Sequence, residues 1–247
     1  MKVVFVGATK GMGRALARRM AEEGDQLFLL GRERNELERS ARDLEVRGNR
    51  ESGTFKTAAC ELTQPAGFEA ALDAADAALG QFDALVITAG VFATQERLEA
   101  DPALTEQMLS ANFTGTILLC EAARKRLLAR GGGTLCVFSS VAGERGRKPV
   151  VLYGAAKAGL SRYLEGLDHK FRRQGLKVIT VKPGFVKTSM TAGLPVPPFA
   201  GEPQAVAELV LRGIARGAPV VYAPPIWGLI MFVIRLLPRF LMRRLGF

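Results

Sequence analysis

The chain opens on a continuous apolar run, Val3 to Val6, which breaks into Gly7-Ala8-Thr9-Lys10-Gly11-Met12-Gly13 and resumes as a helical pattern from Arg14 to Glu23. A run with no polar alternation fits a parallel strand buried on both faces, and the glycines fit a tight turn into a helix start. Such a turn brings backbone N–H groups and the positive end of a helix up to a bound pyrophosphate, at positions where a Cβ would block the approach. Gly7, Thr9, Lys10, Gly11, Met12 and Gly13 are the residues that would cradle it.

The same alternation continues along the chain. Strands are expected at 26–30, 54–60, 84–88, 135–138, 177–181 and 220–222, separated by helices at 33–46, 68–79, 104–128, 151–173 and 205–215. Strands and helices in strict turn mean an α/β fold, a doubly wound parallel sheet of about seven strands with helices on both faces, in one Rossmann domain over residues 1–225. Ligands bind beyond the carboxyl ends of strands in such a fold. Gly7, Arg32, Glu61, Ala89-Gly90, Ser140 and Pro183-Gly184 all fall at those ends, which predicts one composite site. Just past the second strand an acid would accept from an adenosine 2′-hydroxyl, whereas an arginine pairs with a 2′-phosphate; Arg32, with Arg34 and Lys10 nearby, favours NADP over NAD.

Composition removes several other classes of function. With His169 as the sole histidine, neither a serine-histidine triad nor a histidine-rich metal site can be assembled, and no metal is expected. Cys60, Cys120 and Cys136 each sit in an apolar run and read as small buried hydrophobes in a reducing compartment. The segment before Gly7 is too short for a signal peptide, so the expectation is a cytoplasmic protein. The net charge of +10 calls for acidic partners, but the cations gather at 145–148 and in the tail without interleaved aromatics, which argues against nucleic acid.

Tyr153-Gly154-Ala155-Ala156-Lys157 carries the chemistry. On a helix Tyr153 and Lys157 share one face, and the small residues between them leave it open to a ligand. A phenol has a reference pKa of about 10, and an ammonium beside it favours the phenolate, making an acid for carbonyl reduction or a base for alcohol oxidation.

In order and at usual separations, Gly7-x-x-x-Gly11-x-Gly13, Ala89-Gly90, Asn112, Ser140, Tyr153-x-x-x-Lys157 and Pro183-Gly184-x-Val186-x-Thr188 resemble the short-chain dehydrogenase/reductase family over essentially the whole chain. The resemblance implies that Ser140 orients and polarises a carbonyl, Tyr153 exchanges the proton, Lys157 lowers the tyrosine pKa and binds the nicotinamide ribose, and Asn112 holds a water of the proton relay. It also implies cofactor contacts from the glycine turn, Arg32, Glu61, Leu62, Ala89, Gly90, Tyr153, Lys157, Pro183, Gly184, Val186 and Thr188, and a homodimer or homotetramer. Two positions depart from the family pattern: the usual Asn-Asn-Ala-Gly is Ile87-Thr88-Ala89-Gly90, and the acid that meets adenine is Glu61 rather than Asp. A narrower similarity, in Ser139 to Arg145 and in the ending Val221 to Arg239, is to decaprenylphosphoryl 2-keto-ribose reductases, which reduce a keto sugar carried on a polyprenyl phosphate.

The expected activity is NADP(H)-dependent reduction of a ketone on a lipophilic substrate, either small or a lipid-linked keto sugar. A 3-ketoacyl or other hydrophobic ketone is the alternative substrate, and a non-catalytic NADP-binding sensor or membrane-surface scaffold is the alternative class. Arg145, Arg147 and Lys148, next to Ser140, are candidates to hold a substrate phosphate. The tail at 226–247 is nearly all apolar to Ile234, and then Arg235, Arg239 and Arg243 recur at helical spacing. It is shorter than the ~20 apolar residues of a membrane span. It is expected to lie peripherally on an anionic membrane, to cover the cleft, or to meet a second subunit.

Overall fold

A computed structural model describes residues 1–246. Seven strands form one all-parallel sheet in the order β3-β2-β1-β4-β5-β6-β7: β1 Lys2–Val6, β2 Gln26–Gly31, β3 Lys56–Ala59, β4 Ala84–Ile87, β5 Gly133–Phe138, β6 Leu176–Pro183 and β7 Val220–Ala223. Alternate residues of a strand face opposite layers, so Val3 and Phe5 of β1 enter one core and Val4 and Val6 the other. The first layer is closed by α1 Gly11–Glu22, α2 Arg34–Arg47 and α8 Pro203–Arg216. The second is closed by α3 Phe68–Leu79, α6 Thr116–Ala129 and α7 Val151–Phe171. The chain leaves β1 toward β2 and returns to β1's other side as β4, which opens a crevice at the carboxyl edge between them.

The expected helix over 104–128 is three pieces. Asp101 caps α5 Pro102–Leu109 by accepting from the Leu104 N–H at 3.0 Å, with Pro102 in the first turn, where its missing donor costs nothing. A π-helical turn, Ser110–Gly115, then displaces the helix before α6 begins. Helical periodicity reads straight through this insertion, since both flanks keep their apolar faces. A short helix not foreseen, α4 Gln95–Ala100, precedes it, and β3 is shorter than the expected 54–60.

The tail folds back on the domain as α9 Ile226–Leu236 and α10 Arg239–Arg244; Phe247, its final residue, lies outside the described residues. The expected arginine stripe is broken at Leu237–Pro238, where the chain is extended, so Arg235 faces a different neighbour from Arg239 and Arg243. Arg235 and Lys182 both pair with Glu144, whose side chain is 5% exposed. Arg145 donates to the Leu237 carbonyl at 2.7 Å, and Lys148 to the Arg243 carbonyl at 2.8 Å. Trp227 presses onto the turn after β6 so closely that a Cβ on Gly184 would lie 2.0 Å from its Nε1.

That contact makes Gly184 a test of tail docking. Gly184→Ala forces Trp227 off its seat and is expected to cost about 1–3 kcal/mol, as overpacking does, with red-shifted tryptophan emission. Gly146→Ala, which meets nothing within 4 Å, is the control and is expected to stay within about 0.5 kcal/mol. Chemical denaturation followed by the single tryptophan reads both.

Candidate active site

The carboxyl edge gathers the residues singled out from the sequence. Gly7 turns with φ 96°, and a Cβ on Gly13 would lie 2.1 Å from the Gly7 carbonyl, so the turn and α1 are in backbone contact. No side chain caps α1 and its first turn holds no acid, which leaves its N–H groups and positive end open to a ligand. A cleft of about 440 Å³ lies over this turn, lined by Gly7, Thr9, Lys10, Arg32, Glu61, Leu62, Ala89 and Gly90. Uncapped amides and a glycine-lined cleft fit a dinucleotide: the helix end would hold the pyrophosphate, and Arg32, Glu61 and Leu62 would flank the adenosine. Arg32 and Glu61 meet at 3.5 Å across that end. Arg34 is directed elsewhere, paired with Glu38 at 2.9 Å and largely exposed.

Tyr153 and Lys157 stand on one face of α7, and the ammonium lies 5.8 Å from the phenol ring centroid. Lys157 is 4% exposed and donates to the Phe138 carbonyl at 2.9 Å, where β5 ends. Ser140 follows β5 with extended backbone, accepts from the Ala142 N–H at 3.1 Å, and lines the same cavity as Tyr153. Its neighbour Ser139 faces the other way, donating to the Lys157 carbonyl and sharing a 2.7 Å bond with Ser161, and so has a packing role.

Burial governs both titrations. It pushes the Tyr153 phenol up to about 12, with the nearby Ser140 hydroxyl pulling back, and draws the Lys157 ammonium down to about 8. In the protein alone, desolvation outweighs any pull of the lysine on the tyrosine. Desolvation acts on the whole phenolate charge, while the ammonium is itself weakened and tied to Phe138. At neutral pH the phenol carries its proton, as a general acid must.

The Asn112 amide clamps Val91, accepting from the N–H at 2.8 Å and donating to the carbonyl at 2.6 Å, so its side chain positions the Ala89–Gly90–Val91 segment. Thr88, at the departure from the family pattern, does similar work: its hydroxyl donates to the carbonyls of Val6 and Gly7 and locks β4 to the glycine turn.

The family model for short chain dehydrogenase matches residues 1–196. The chain belongs to that family. This short-chain dehydrogenase is 34% identical over 245 residues to the uncharacterized oxidoreductase Rv2073c of Mycobacterium tuberculosis, covering 98% of this chain and 96% of the relative. It is 33% identical over 249 residues to an uncharacterized oxidoreductase of Streptomyces coelicolor, covering 98% and 95%. Among solved structures it is similar to a variant of the actinorhodin polyketide ketoreductase with NADPH, at 25% identity and a TM-score of 0.79, covering 89% of this chain and 94% of that one. The family is one of oxidoreductases that use nicotinamide dinucleotides.

Beside the dinucleotide cleft this short-chain dehydrogenase has a second cavity of about 630 Å³ that reaches Ser140 and Tyr153. Phe92 stacks edge-on against Tyr153, with centroids 5.1 Å apart and planes at 88°, and fixes the ring. Phe185, Met190 and Leu194 form one wall and Trp227, Ile230 and Ile234 of α9 another. Pro183, Gly184, Val186 and Thr188 line this cavity, and Thr188 also meets the glycine turn, its Cγ2 3.3 Å from where a Cβ on Gly11 would lie. Arg147 stands at its edge with Nε buried and without a partner among the described residues, and burial lowers its pKa. That α9 walls this cavity matches one of the three expectations for the tail, whereas the sequence held no sign that Phe92 would, because an aromatic in that position fits a core equally well.

The lysine supplies a pH test. Its folded pKa lies below its unfolded value of 10.5, so between the two the unfolded chain binds more protons and stability rises with pH. Thermal melts of the dinucleotide-free protein, wild type against Lys157→Met, are expected to show the wild type gaining relative to the variant from pH 8 toward 10, by up to about 1.4 kcal/mol per pH unit. A difference flat across that range would mean that the ammonium is not buried.

Proposed function

We propose that this short-chain dehydrogenase is an NADP(H)-dependent reductase that converts a ketone on a lipophilic substrate into a secondary alcohol. The observation that carries the reading is that Ser140 and Tyr153 line one apolar cavity, with the buried Lys157 ammonium on the tyrosine's own helix face. A ketone oxygen seated at the two hydroxyls meets a donor to polarise it and a proton to take. The dinucleotide, when bound, supplies the hydride to the carbonyl carbon. Tyr153 loses its proton to the forming alkoxide, and the Lys157 ammonium stabilises the phenolate left behind. Because the phenol is protonated at neutral pH, reduction is the direction for which the acid is ready. The alternative of a silent dinucleotide sensor is disfavoured, since such a protein has no need of all three polar groups in one place.

Preference for NADP is supported by Lys10 and Arg32 in the cleft and by the lack of an acid at the end of β2, where a ribose 2′-hydroxyl would require one. The NADPH in the polyketide ketoreductase structure agrees with this.

Arg147 narrows the substrate. Of the three loop cations, Arg145 and Lys148 are spent on tail carbonyls, and only Arg147 borders the substrate cavity without a partner. A buried cation without a counter-ion is costly, and an anionic group on the substrate would relieve it. An apolar body with a phosphate is what a lipid-linked keto sugar presents. A 3-ketoacyl or other hydrophobic ketone is the second reading, favoured by the apolar walls and by the ketoreductase neighbour.

Following NADPH oxidation against a panel of ketones tests the activity. Tyr153→Phe is expected to lower kcat/KM by at least about 100-fold while dinucleotide binding is retained. A variant as active as wild type would remove the phenol from the reaction. Arg147→Gln is expected to raise KM for a phosphate-bearing ketone about tenfold more than for a neutral ketone of equal length, the loss of one charged hydrogen bond. Equal shifts for the two would show that Arg147 does not read an anion.

A further inference from the structure

The helix α9 is apolar on every side. Trp227, Ile230 and Ile234 face the substrate cavity and Met231 is fully buried, yet on the opposite side Leu229, Phe232, Val233 and Leu236 are 62, 54, 52 and 69% exposed. Phe240 of α10 is 59% exposed as well. A helix hydrophobic all round belongs between two apolar phases, and here only the inner one is supplied by the protein.

The segment that carries this face holds one sign of charge. Residues 226–246 contain Arg235, Arg239, Arg243 and Arg244 and no Asp or Glu. Arg239 and Arg243 join Lys148 and Arg162 around an open basic cleft of about 770 Å³, whose one acid, Glu144, is already neutralised by Lys182 and Arg235. A second copy docking through the same face in a two-fold contact would bring arginines against arginines. An anionic bilayer instead offers hydrocarbon to the outer side chains and phosphates to the guanidiniums. With 11 residues α9 is too short to span, and no helix among the described residues is long and apolar enough to cross a membrane, so the fit is to the surface.

We propose that α9 and α10 dock the protein on an anionic lipid surface, with Leu229, Phe232, Val233 and Leu236 among the acyl chains and the Arg239–Arg243 cleft against headgroup phosphates. The inner side of the same helix walls the substrate cavity, so docking sets that cavity about one helix diameter, ~10 Å, from the bilayer. The inference uses exposure and charge alone and stands apart from the reaction assigned above.

The full chain is sedimented with phosphatidylcholine vesicles, with and without phosphatidylglycerol, at low and high salt. The expected result is at least about tenfold more bound protein with the anionic vesicles at low salt, falling as salt is raised. Phe232→Glu with Leu236→Glu, and separately Arg239→Gln with Arg243→Gln, are each expected to lose most of that binding. All four side chains are exposed, and unchanged melting temperatures check that both variants are folded. The proposal is overturned if the wild type stays in the supernatant with anionic vesicles at low salt, or if the glutamate variant binds as well as wild type. It is overturned equally if light scattering shows a dimer that the glutamate variant turns into monomer, which would assign the face to a second copy of the chain.

Discussion

A lysine ammonium held inside the protein by one backbone carbonyl is the constraint on which the site depends. Lys157 is nearly inaccessible, and its hydrogen bond to Phe138 ties α7 to the end of β5 at the level where Ser140 leaves the sheet. One contact therefore sets the axial position of α7 and, through it, the height of Tyr153 above the carboxyl edge. Ser139 adds a second tie between the same two elements through the Lys157 carbonyl. The cost of desolvating the ammonium, visible in its lowered pKa, is borne by the two layers of buried strands and helices around it. A protonated phenol and a reluctant ammonium on one helix face, with the nitrogen 5.8 Å from the ring centroid, are a poor arrangement for stability and a good one for moving a proton, because a phenolate formed there would find a counter-charge close by.

The same logic is repeated farther out. Glu144 is buried with Lys182 on one side and Arg235 on the other, and this pairing holds α9 against the domain and so closes the wall of the substrate cavity. Arg145 and Lys148 use tail carbonyls as their partners in place of an anion. Three of the four charges in the loop 144–148 are thus spent on architecture. The fourth, Arg147, has no structural employment among the described residues, and that contrast within five residues separates it from its neighbours.

The parallel sheet and the edge on which the site lies could be read from the sequence because both follow from period and order: unbroken apolar strands, glycine turns and helices in alternation. Tyr153, Lys157 and Ser140 were legible for the same reason, since helical spacing and strand ends place them without any knowledge of packing. Tertiary contacts decided the rest. The π-turn at Ser110–Gly115 has no compositional mark, and it sets Asn112 where its amide must clamp Val91. The arginine spacing in the tail suggested one stripe, but Pro238 ends α9's run and divides it. The net direction of the Tyr153 shift is not legible in a sequence, which displays neighbours and not burial, and burial is the largest effect here.

The helix α9 shows how one segment can serve two phases. Its inner residues Trp227, Ile230 and Ile234 present apolar side chains to the cavity that holds Ser140 and Tyr153, and a drier cavity strengthens the electrostatic interactions made inside it. Its outer residues have no protein partner among the described residues, and an enzyme acting only on polar metabolites would gain nothing from keeping Leu229, Phe232, Val233 and Leu236 exposed. On the docking proposed above, a substrate that partitions into lipid would change that balance, because a single helix would stand between the acyl chains and the cavity. The apolar walls, the unpaired Arg147 and the basic cleft beside α10 are thus parts of one physical argument: apolar surface and positive charge are placed together where an amphiphile with a negative head would enter.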